Sequence, residues 1–175
     1  NFADAKIYNC SFEDNIRGTA LYMEFIVGAV IANLTFQRNA ASTGGGLVIK
    51  SSVDVVVRNC SFGRNTAFTG VGGALSADAV TDMSIQQCSF ERNEGAFGGG
   101  AVFATRMLDF SIRNSSFVQN SAGTAGGAVY LNLGNHISMY GNAFIENVCN
   151  RNGGALSLYS TAVTTMETVF SRNAA

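Results

Sequence analysis

The sequence contains no proline and no tryptophan, has one histidine, and carries little charge. An average chain of 175 residues has about nine prolines, at about 5% usage. Because proline lacks the N–H that a sheet ladder requires, its absence suits a backbone made of strands and tight turns. Charged residues make up 13%, and the net charge is −1, which argues against a nucleic-acid partner. The longest apolar run, 25–32, is too short to span a bilayer.

Two short sequence motifs, called words below, alternate along the whole chain. The first is Phe-x-x-Asn, and its copies follow one another at steps of 24 to 28 residues. The copies are Phe12/Asn15, Phe36/Asn39, Phe62/Asn65, Phe90/Asn93, Phe117/Asn120, Phe144/Asn147 and Phe170/Asn173. One glycine-containing word, such as Gly72-Gly73-Ala74, falls between each pair of neighbouring copies. Strict alternation at a fixed period of this length is typical of solenoids.

Each repeat also carries the pattern of short strands. The residues seven and five positions before each Phe are mostly apolar and often β-branched, as at Val55 and Val57. This alternation predicts a strand, and its phase shifts three residues before the Phe, which predicts a bend there. A second alternating run follows each glycine word, as at 47–50. We therefore predict an all-β fold, a right-handed parallel β-helix with about six coils of about 26 residues.

In such a stack of coils the repeated residues become ladders. The seven Phe rings are expected to form one inward stack. The seven Asn amides are expected to form a hydrogen-bonded ladder along the rod, as in cross-β structures. Glycine in the second word allows backbone torsions that are closed to other residues. Since the chain starts at Asn1 without a Met or a signal peptide, we expect residues 1–175 to be a single β-helix segment of a longer solenoid.

The alternating F-x-x-N and G-G-A-[ILV] words resemble the repeats of the chlamydial polymorphic outer membrane proteins. The full-strength glycine words are 72–75, 99–102, 126–129 and 153–156, whereas 18–21 and 44–47 are degenerate. The resemblance covers essentially the whole chain. It implies a β-helical passenger that is displayed on a cell surface and acts in adhesion. Similar repeats occur in large surface or secreted proteins of eukaryotic microbes such as algae.

Three aspartates recur eight positions before a Phe. They are Asp54, Asp82 and Asp109, and His136 occupies the same position in the next repeat. Such a carboxylate stripe could bind calcium, or act as general acid and base in a polysaccharide lyase or hydrolase. We favour the alternative that each Asp hydrogen-bonds turn amides where a strand begins, since duplication alone stacks these residues. No catalytic triad, phosphate loop or zinc spacing occurs, and we expect neither a metal nor a cofactor.

A row of arginines is a candidate contact surface. Arg38, Arg64 and Arg92 each lie two positions after a Phe, so they would stack on neighbouring coils. Arginine fits carboxylates and other anions through its planar fork, so the row could grip an anionic glycan or a partner's carboxylates. The alternative, which we favour, is a solvated stripe of turn residues, balanced by the acidic residues Glu13, Asp14 and Glu91.

Aromatic residues provide a second candidate contact surface. Tyr22, Phe103 and Tyr130 occupy the same outward position of the run that follows the glycine word. Exposed aromatic side chains commonly anchor protein or sugar partners. We therefore predict that this row is a contact face.

Three cysteines, at positions 10, 60 and 88, and four glycosylation motifs recur in register with the repeat. Cys60 and Cys88 would lie on adjacent coils within disulfide distance, but with nearly parallel Cβ vectors, so free thiols are favoured over a strained disulfide. N-x-[ST] motifs begin three positions before a Phe, and glycosylation at them requires a secretory host. Glycans on successive coils would collide, so we expect incomplete occupancy. The motifs begin at Asn9, Asn33, Asn59 and Asn114.

These features predict a structural or adhesive segment of a larger extracellular or cell-surface protein. Its partners would be proteins, glycans or neighbouring copies in an assembly, without nucleic acid and without a membrane-spanning segment. The alternative is a carbohydrate-active β-helix enzyme that cleaves polysaccharide with the aspartate stripe.

Overall fold

The computed structural model describes residues 2–175, which form a parallel β-solenoid of about six coils. No helix occurs in this range, so none is available to span a membrane. The strands are β1 Phe2–Ala3, β2 Lys6–Tyr8, β3 Ser11–Glu13, β4 Leu21–Glu24, β5 Ile26–Ala32, β6 Thr35–Gln37, β7 Ala40–Ala41, β8 Leu47–Lys50, β9 Val53–Arg58, β10 Ser61–Gly63, β11 Thr66–Ala67, β12 Leu75–Asp78, β13 Thr81–Gln86, β14 Ser89–Glu91, β15 Glu94–Gly95, β16 Val102–Thr105, β17 Leu108–Arg113, β18 Ser116–Val118, β19 Ser121–Ala122, β20 Val129–Tyr140, β21 Ala143–Ile145, β22 Val148–Cys149, β23 Leu156–Met166 and β24 Val169–Ser171. The predicted all-β parallel fold is confirmed.

The strands form three parallel sheets that run the length of the rod. The largest has twelve strands in two ladders, one through β4, β8, β12 and β16 and one through β5, β9, β13 and β17, and β20 joins the two. The seven-stranded sheet consists of the three-residue strands around each repeated Phe, and the five-stranded sheet of the two-residue strands that follow the five inner Asn residues. Two residues are too few to show an alternation, so the sequence pattern did not predict the third sheet.

Equivalent residues of successive repeats face each other, and the Phe side chains therefore stack. Phe62 pairs with Phe36 on one side and with Phe90 on the other. All six neighbouring ring pairs have centroids 4.6–5.0 Å apart and planes within 7° of parallel. This separation equals the spacing of hydrogen-bonded strands, so the backbone register imposes the stacking geometry. The five inner rings are fully buried, whereas Phe170 on the last coil is 48% exposed.

The Asn side chains form a continuous hydrogen-bonded ladder beside the Phe stack. Nδ2 of Asn93 donates to Oδ1 of Asn120 at 3.0 Å and to the carbonyl of Phe62 at 2.9 Å. Oδ1 of Asn93 in turn accepts from the backbone N–H and Nδ2 of Asn65, at 2.9 and 3.0 Å. The same contacts recur at Asn39, Asn65, Asn120 and Asn147. The ladder thus satisfies polar groups that water cannot reach, because all five of these side chains are fully buried.

The two end rungs of the ladder are less buried than the inner ones. Oδ1 of Asn173 accepts from the backbone N–H and Nδ2 of Asn147, both at 2.9 Å, and its Nδ2 donates to the carbonyl of Phe144 at 2.9 Å. The side chain of Asn173 is nevertheless only half-buried, because no described rung stacks on its far side. At the other end Asn15 is exposed. Asn15 and Asn173 therefore belong to the ladder without being part of its buried interior.

The chain turns at residues in the left-handed backbone region. The bend predicted three residues before each Phe is confirmed, with φ between 50° and 57° at Asn33, Asn59, Gln87 and Asn114. Asparagine is enriched in this region because its short polar side chain tolerates it. Other residues with positive φ lie two residues after each Phe, eight residues before most of the Phe residues, and four residues after the first residue of each run that follows the glycine motif, as at Ser51 and Ala79.

The two glycines of each complete G-G-A-[ILV] motif are required for different structural reasons. Gly99 has φ +60°, and a Cβ there would lie 2.2 Å from the carbonyl oxygen of Val102. At Gly100 the constraint is close approach, since a Cβ would lie 2.1 Å from the oxygen of Gly127 on the next coil. The first glycine therefore allows the turn, and the second allows the coils to stack.

Candidate functional site

The aspartate stripe lies on an exposed corner of the rod. Asp54, Asp82 and Asp109 have φ between 54° and 58°, and their side chains are exposed. Asp109 lies 3.0 Å from Nδ1 of His136 on the next coil. No group of three acidic, His or Cys side chains that could hold a metal occurs among the residues described, so the stripe does not bring its carboxylates together as a cluster of ligands. The physical reason is the register, which spaces equivalent side chains along the axis instead of converging them.

The arginine row is largely neutralised by neighbouring residues. Arg38 makes a bidentate ion pair with Asp14, at 2.7 Å for both contacts, and this hydrogen bonding holds the pKa of Asp14 below its ordinary range. Arg92 pairs with Glu91 at 3.3 Å and donates to Gln119 at 3.0 Å. The balanced stripe that we favoured is therefore present. Among the described residues Arg64 alone of the three has no ion pair.

The predicted aromatic contact face is interrupted. Tyr22 is 51% exposed, with its hydroxyl on Glu24 at 2.9 Å, but the next two positions of its row, Val48 and Ser76, are buried. Phe103 and Tyr130 follow on the next coils, pack against each other with centroids 5.5 Å apart, and are half-buried. Tyr22, Phe103 and Tyr130 therefore do not form one continuous face. The cause is the glycine-rich segment of each coil, whose backbone covers this row: a Cβ on Gly44 would lie 2.3 Å from Val48, and one on Gly98 would lie 2.6 Å from Tyr130.

An open groove of about 890 Å³ runs along the rod at the corner before the Phe strands. One wall is a row of amide side chains, which are Asn33, Asn59, Gln87 and Asn114. The other wall is a row of hydroxyl side chains, which are Thr35, Ser61, Ser89 and Ser116. The floor consists of Leu34, Cys60, Cys88 and Ser115, all buried. The groove spans five coils, and none of its lining residues is charged.

The groove walls have unused hydrogen-bonding capacity. Within residues 4–175, the hydroxyls of Ser61, Ser89 and Ser116 make no side-chain hydrogen bond, and the same holds for the side-chain amides of Asn59 and Gln87. The backbone is different, since the N–H of each wall residue donates to a neighbouring coil at 2.8–3.1 Å. A ligand in the groove would therefore meet free side-chain groups beside a backbone that is already paired.

A comparison with known protein families agrees with the β-helical architecture. A family model described as a right-handed beta helix region covers residues 1–144. The chain belongs to the right-handed β-helix family. The predicted handedness is thereby confirmed, and β23 and β24 continue the parallel pairing beyond the matched residues, with one register shift between Gly134 and Ile137. No curated protein matches the sequence.

The cysteines of this β-helix are free thiols, so the strained disulfide is not formed. Cys60 and Cys88 fill the groove floor, and the Sγ of each contacts the carbonyl two residues earlier at 3.2 Å. The neighbouring Cys60 thiol and burial both raise the pKa of Cys88. Cys88 therefore stays protonated. Cys149 is also buried, whereas Cys10 on the first coil is exposed.

Three of the four glycosylation motifs of the β-helix lie in the groove wall. Asn33, Asn59 and Asn114 line it, and Nδ2 of Asn33 donates to Oδ1 of Asn9 at 3.1 Å. All four asparagines are exposed. The side chain of Asn114 leans over Gly141, where a Cβ would lie 2.4 Å from its Oδ1. Asn114 is also the one motif with no other motif on an adjacent coil.

The hydroxyl wall of the β-helix was not identified from the sequence. Its signal is present, because the residue before the Phe is Ser or Thr in the first five repeats. Each of these residues also belongs to an N-x-[ST] motif or occupies the equivalent position in its repeat. The glycosylation motif therefore accounted for the Ser and Thr residues, and their place in a groove wall was not recognised. That the hydroxyls and amides face each other across one groove depends on the bend between them.

Proposed function

We propose that this β-helix is a rigid structural or adhesive segment of a larger extracellular or cell-surface protein that contacts protein or glycan partners through its outer rows. The proposal rests on the difference between the inward and the outward positions of each coil. The inward and corner positions repeat, and they build the Phe stack, the Asn ladder and the glycine turns. Positions on the outside of the Phe strands vary from coil to coil, as at Gln37, Glu91 and Val118, each one residue after a Phe, which is the arrangement expected of a display scaffold.

The resemblance to the chlamydial polymorphic outer membrane protein repeats supports the extracellular part of the proposal. All seven F-x-x-N words and four full G-G-A-[ILV] words carry that resemblance. The exposed glycosylation motifs are consistent with a secreted protein in a eukaryotic host.

A polysaccharide-cleaving enzyme remains the second candidate because of the contact between Asp109 and His136 at 3.0 Å. A carboxylate beside an imidazole is a common acid–base pair. Neither residue lines the groove, and both are exposed at a corner. We regard this pair as a local contact of turn residues.

The test is a binding screen of the purified protein against whole cells, extracellular proteins and a panel of polysaccharides, with product analysis on every polysaccharide. We expect retention on at least one cell type or glycan without any shortening of the chains. Release of shortened oligosaccharides, abolished by Asp109→Asn, would establish the enzyme instead. Absence of binding in all arms would contradict the adhesive role.

A further inference from the structure

We propose that the groove binds an uncharged glycan chain laid parallel to the axis of the rod. The inference rests on the proposed adhesive function and assigns it a site and a ligand class. From the first to the fifth of its coils the groove is about 19 Å long, as four steps at the Phe ring spacing of 4.6–4.8 Å. It is thus long enough for several consecutive sugars of an extended chain.

The chemistry of the walls matches a polyol. Four of the five coils present one amide and one hydroxyl across the groove, as at Asn59 with Ser61 and at Gln87 with Ser89. Amides and hydroxyls both donate and accept, so they fit sugar hydroxyls of either polarity. Their register repeats the pair on these four successive coils, and a ligand whose hydroxyls also recur along its length would engage several pairs at once. The floor adds no side-chain contact, because Leu34, Cys60 and Cys88 are buried in the hydrophobic core, so the two walls supply the contacts to a sugar.

The same observations disfavour other linear ligands. A peptide added as a strand needs unpaired main-chain groups, but the N–H groups of both walls already donate to neighbouring coils. A nucleic acid or an acidic glycan would need cations, and no Arg, Lys or His lines the groove. An apolar helix would need a wide hydrophobic floor, whereas two facing walls of this groove are polar.

The decisive variants alter only the hydroxyl wall. Ser61→Ala with Ser89→Ala removes two hydroxyls that have no hydrogen-bond partner within residues 4–175, so the fold should be preserved. Ser89→Tyr fills the middle of the groove at an exposed strand position. The matched control is Ser111→Ala with Ser138→Ala, because these paired residues lie on adjacent coils of the large sheet, outside the groove.

The experiment measures binding of neutral β-glucan and mannan oligosaccharides of increasing length by titration calorimetry. Polygalacturonate serves as the acidic probe, and the protein is produced without N-glycosylation because three motifs lie in the groove. We expect affinity for a neutral series to rise with length up to the groove span. It should fall about tenfold in the double alanine variant, disappear in Ser89→Tyr and stay unchanged in the control.

Three results would overturn the inference. The first is neutral binding that persists in Ser89→Tyr. The second is binding of polygalacturonate alone, lost at high salt or in an Arg58→Gln and Arg113→Gln variant, since these exposed arginines adjoin the amide wall. The third is retention on cells without affinity for any neutral oligosaccharide, which would remove the groove inference and leave the proposed adhesive function standing.

Discussion

Removing one inner rung of the Asn ladder should destabilise the β-helix strongly. In Asn93→Ala, the backbone N–H and one Nδ2 hydrogen of Asn65 lose their acceptor, and both groups are fully buried. A buried polar group without a partner costs about 1–3 kcal/mol, so the two together predict a loss of about 2–6 kcal/mol. That is a large fraction of the typical stability of a domain, about 5–15 kcal/mol.

The first rung provides a matched control within the same chain. Asn15 is exposed, and among the described residues its Oδ1 accepts no hydrogen bond, while its Nδ2 donates to Asn39 at 2.8 Å. Asn15→Ala therefore leaves no donor orphaned, and water can replace what is lost, so we expect a change of at most about 1 kcal/mol.

The assay is urea unfolding of both variants and of the parent, followed by far-UV circular dichroism. The midpoint of Asn93→Ala should fall well below that of Asn15→Ala, with an unchanged slope if only stability is affected. Equal midpoints for the two variants would refute the reasoning, because the ladder would then add nothing beyond its exposed ends.

Three further predictions concern the corners and the outer rows. Gly100→Ala should prevent stable folding, since its Cβ would lie 2.1 Å from a carbonyl oxygen of the next coil. Gly18→Ala should be tolerated, because no described atom would lie within 4 Å of its Cβ. The melting temperatures of the two variants test this difference. In a eukaryotic secretory host, mass spectrometry should find Asn114 the most fully glycosylated motif, because no motif lies on an adjacent coil, and equal occupancy at all four would contradict this. The Arg38 ion pair depresses the pKa of Asp14, so its stabilising effect is present above the ordinary value of 3.8 and is lost as the pH falls below it. Titration by NMR should show a lower pKa for Asp14 in the parent than in Arg38→Gln.

The architecture could be predicted because the repeat itself encodes it. A period of 24 to 28 residues with alternating apolar positions has few solutions other than stacked coils. Once the coils stack, register follows from keeping Phe62 over Phe36 and Asn65 over Asn39, since a slip would expose a ring or leave a buried amide unpaired. The bend before each Phe was also predictable, because the alternation changes phase there.

The outer surface was less predictable, because spacing places residues in rows but does not say what covers them or what pairs with them. The row of Tyr22 was expected to be open, yet Val48 and Ser76 within it are buried by the backbone of the glycine-rich segments. For the arginine row, spacing also left open which of Arg38 and Arg64 is neutralised, since that depends on an acidic side chain of the neighbouring coil.

The groove shows most clearly which features can be predicted from the sequence and which depend on the tertiary structure. The order of amide, small residue and hydroxyl at 59–61 is visible in the sequence and recurs in register. Those three residues become two walls and a floor only because the backbone turns through the left-handed region at Asn59, with φ of 53°. The repeat therefore encodes the rod, its core and the rows along it. The folding of each coil in space determines which rows face one another, because facing depends on corner angles that a linear period does not contain.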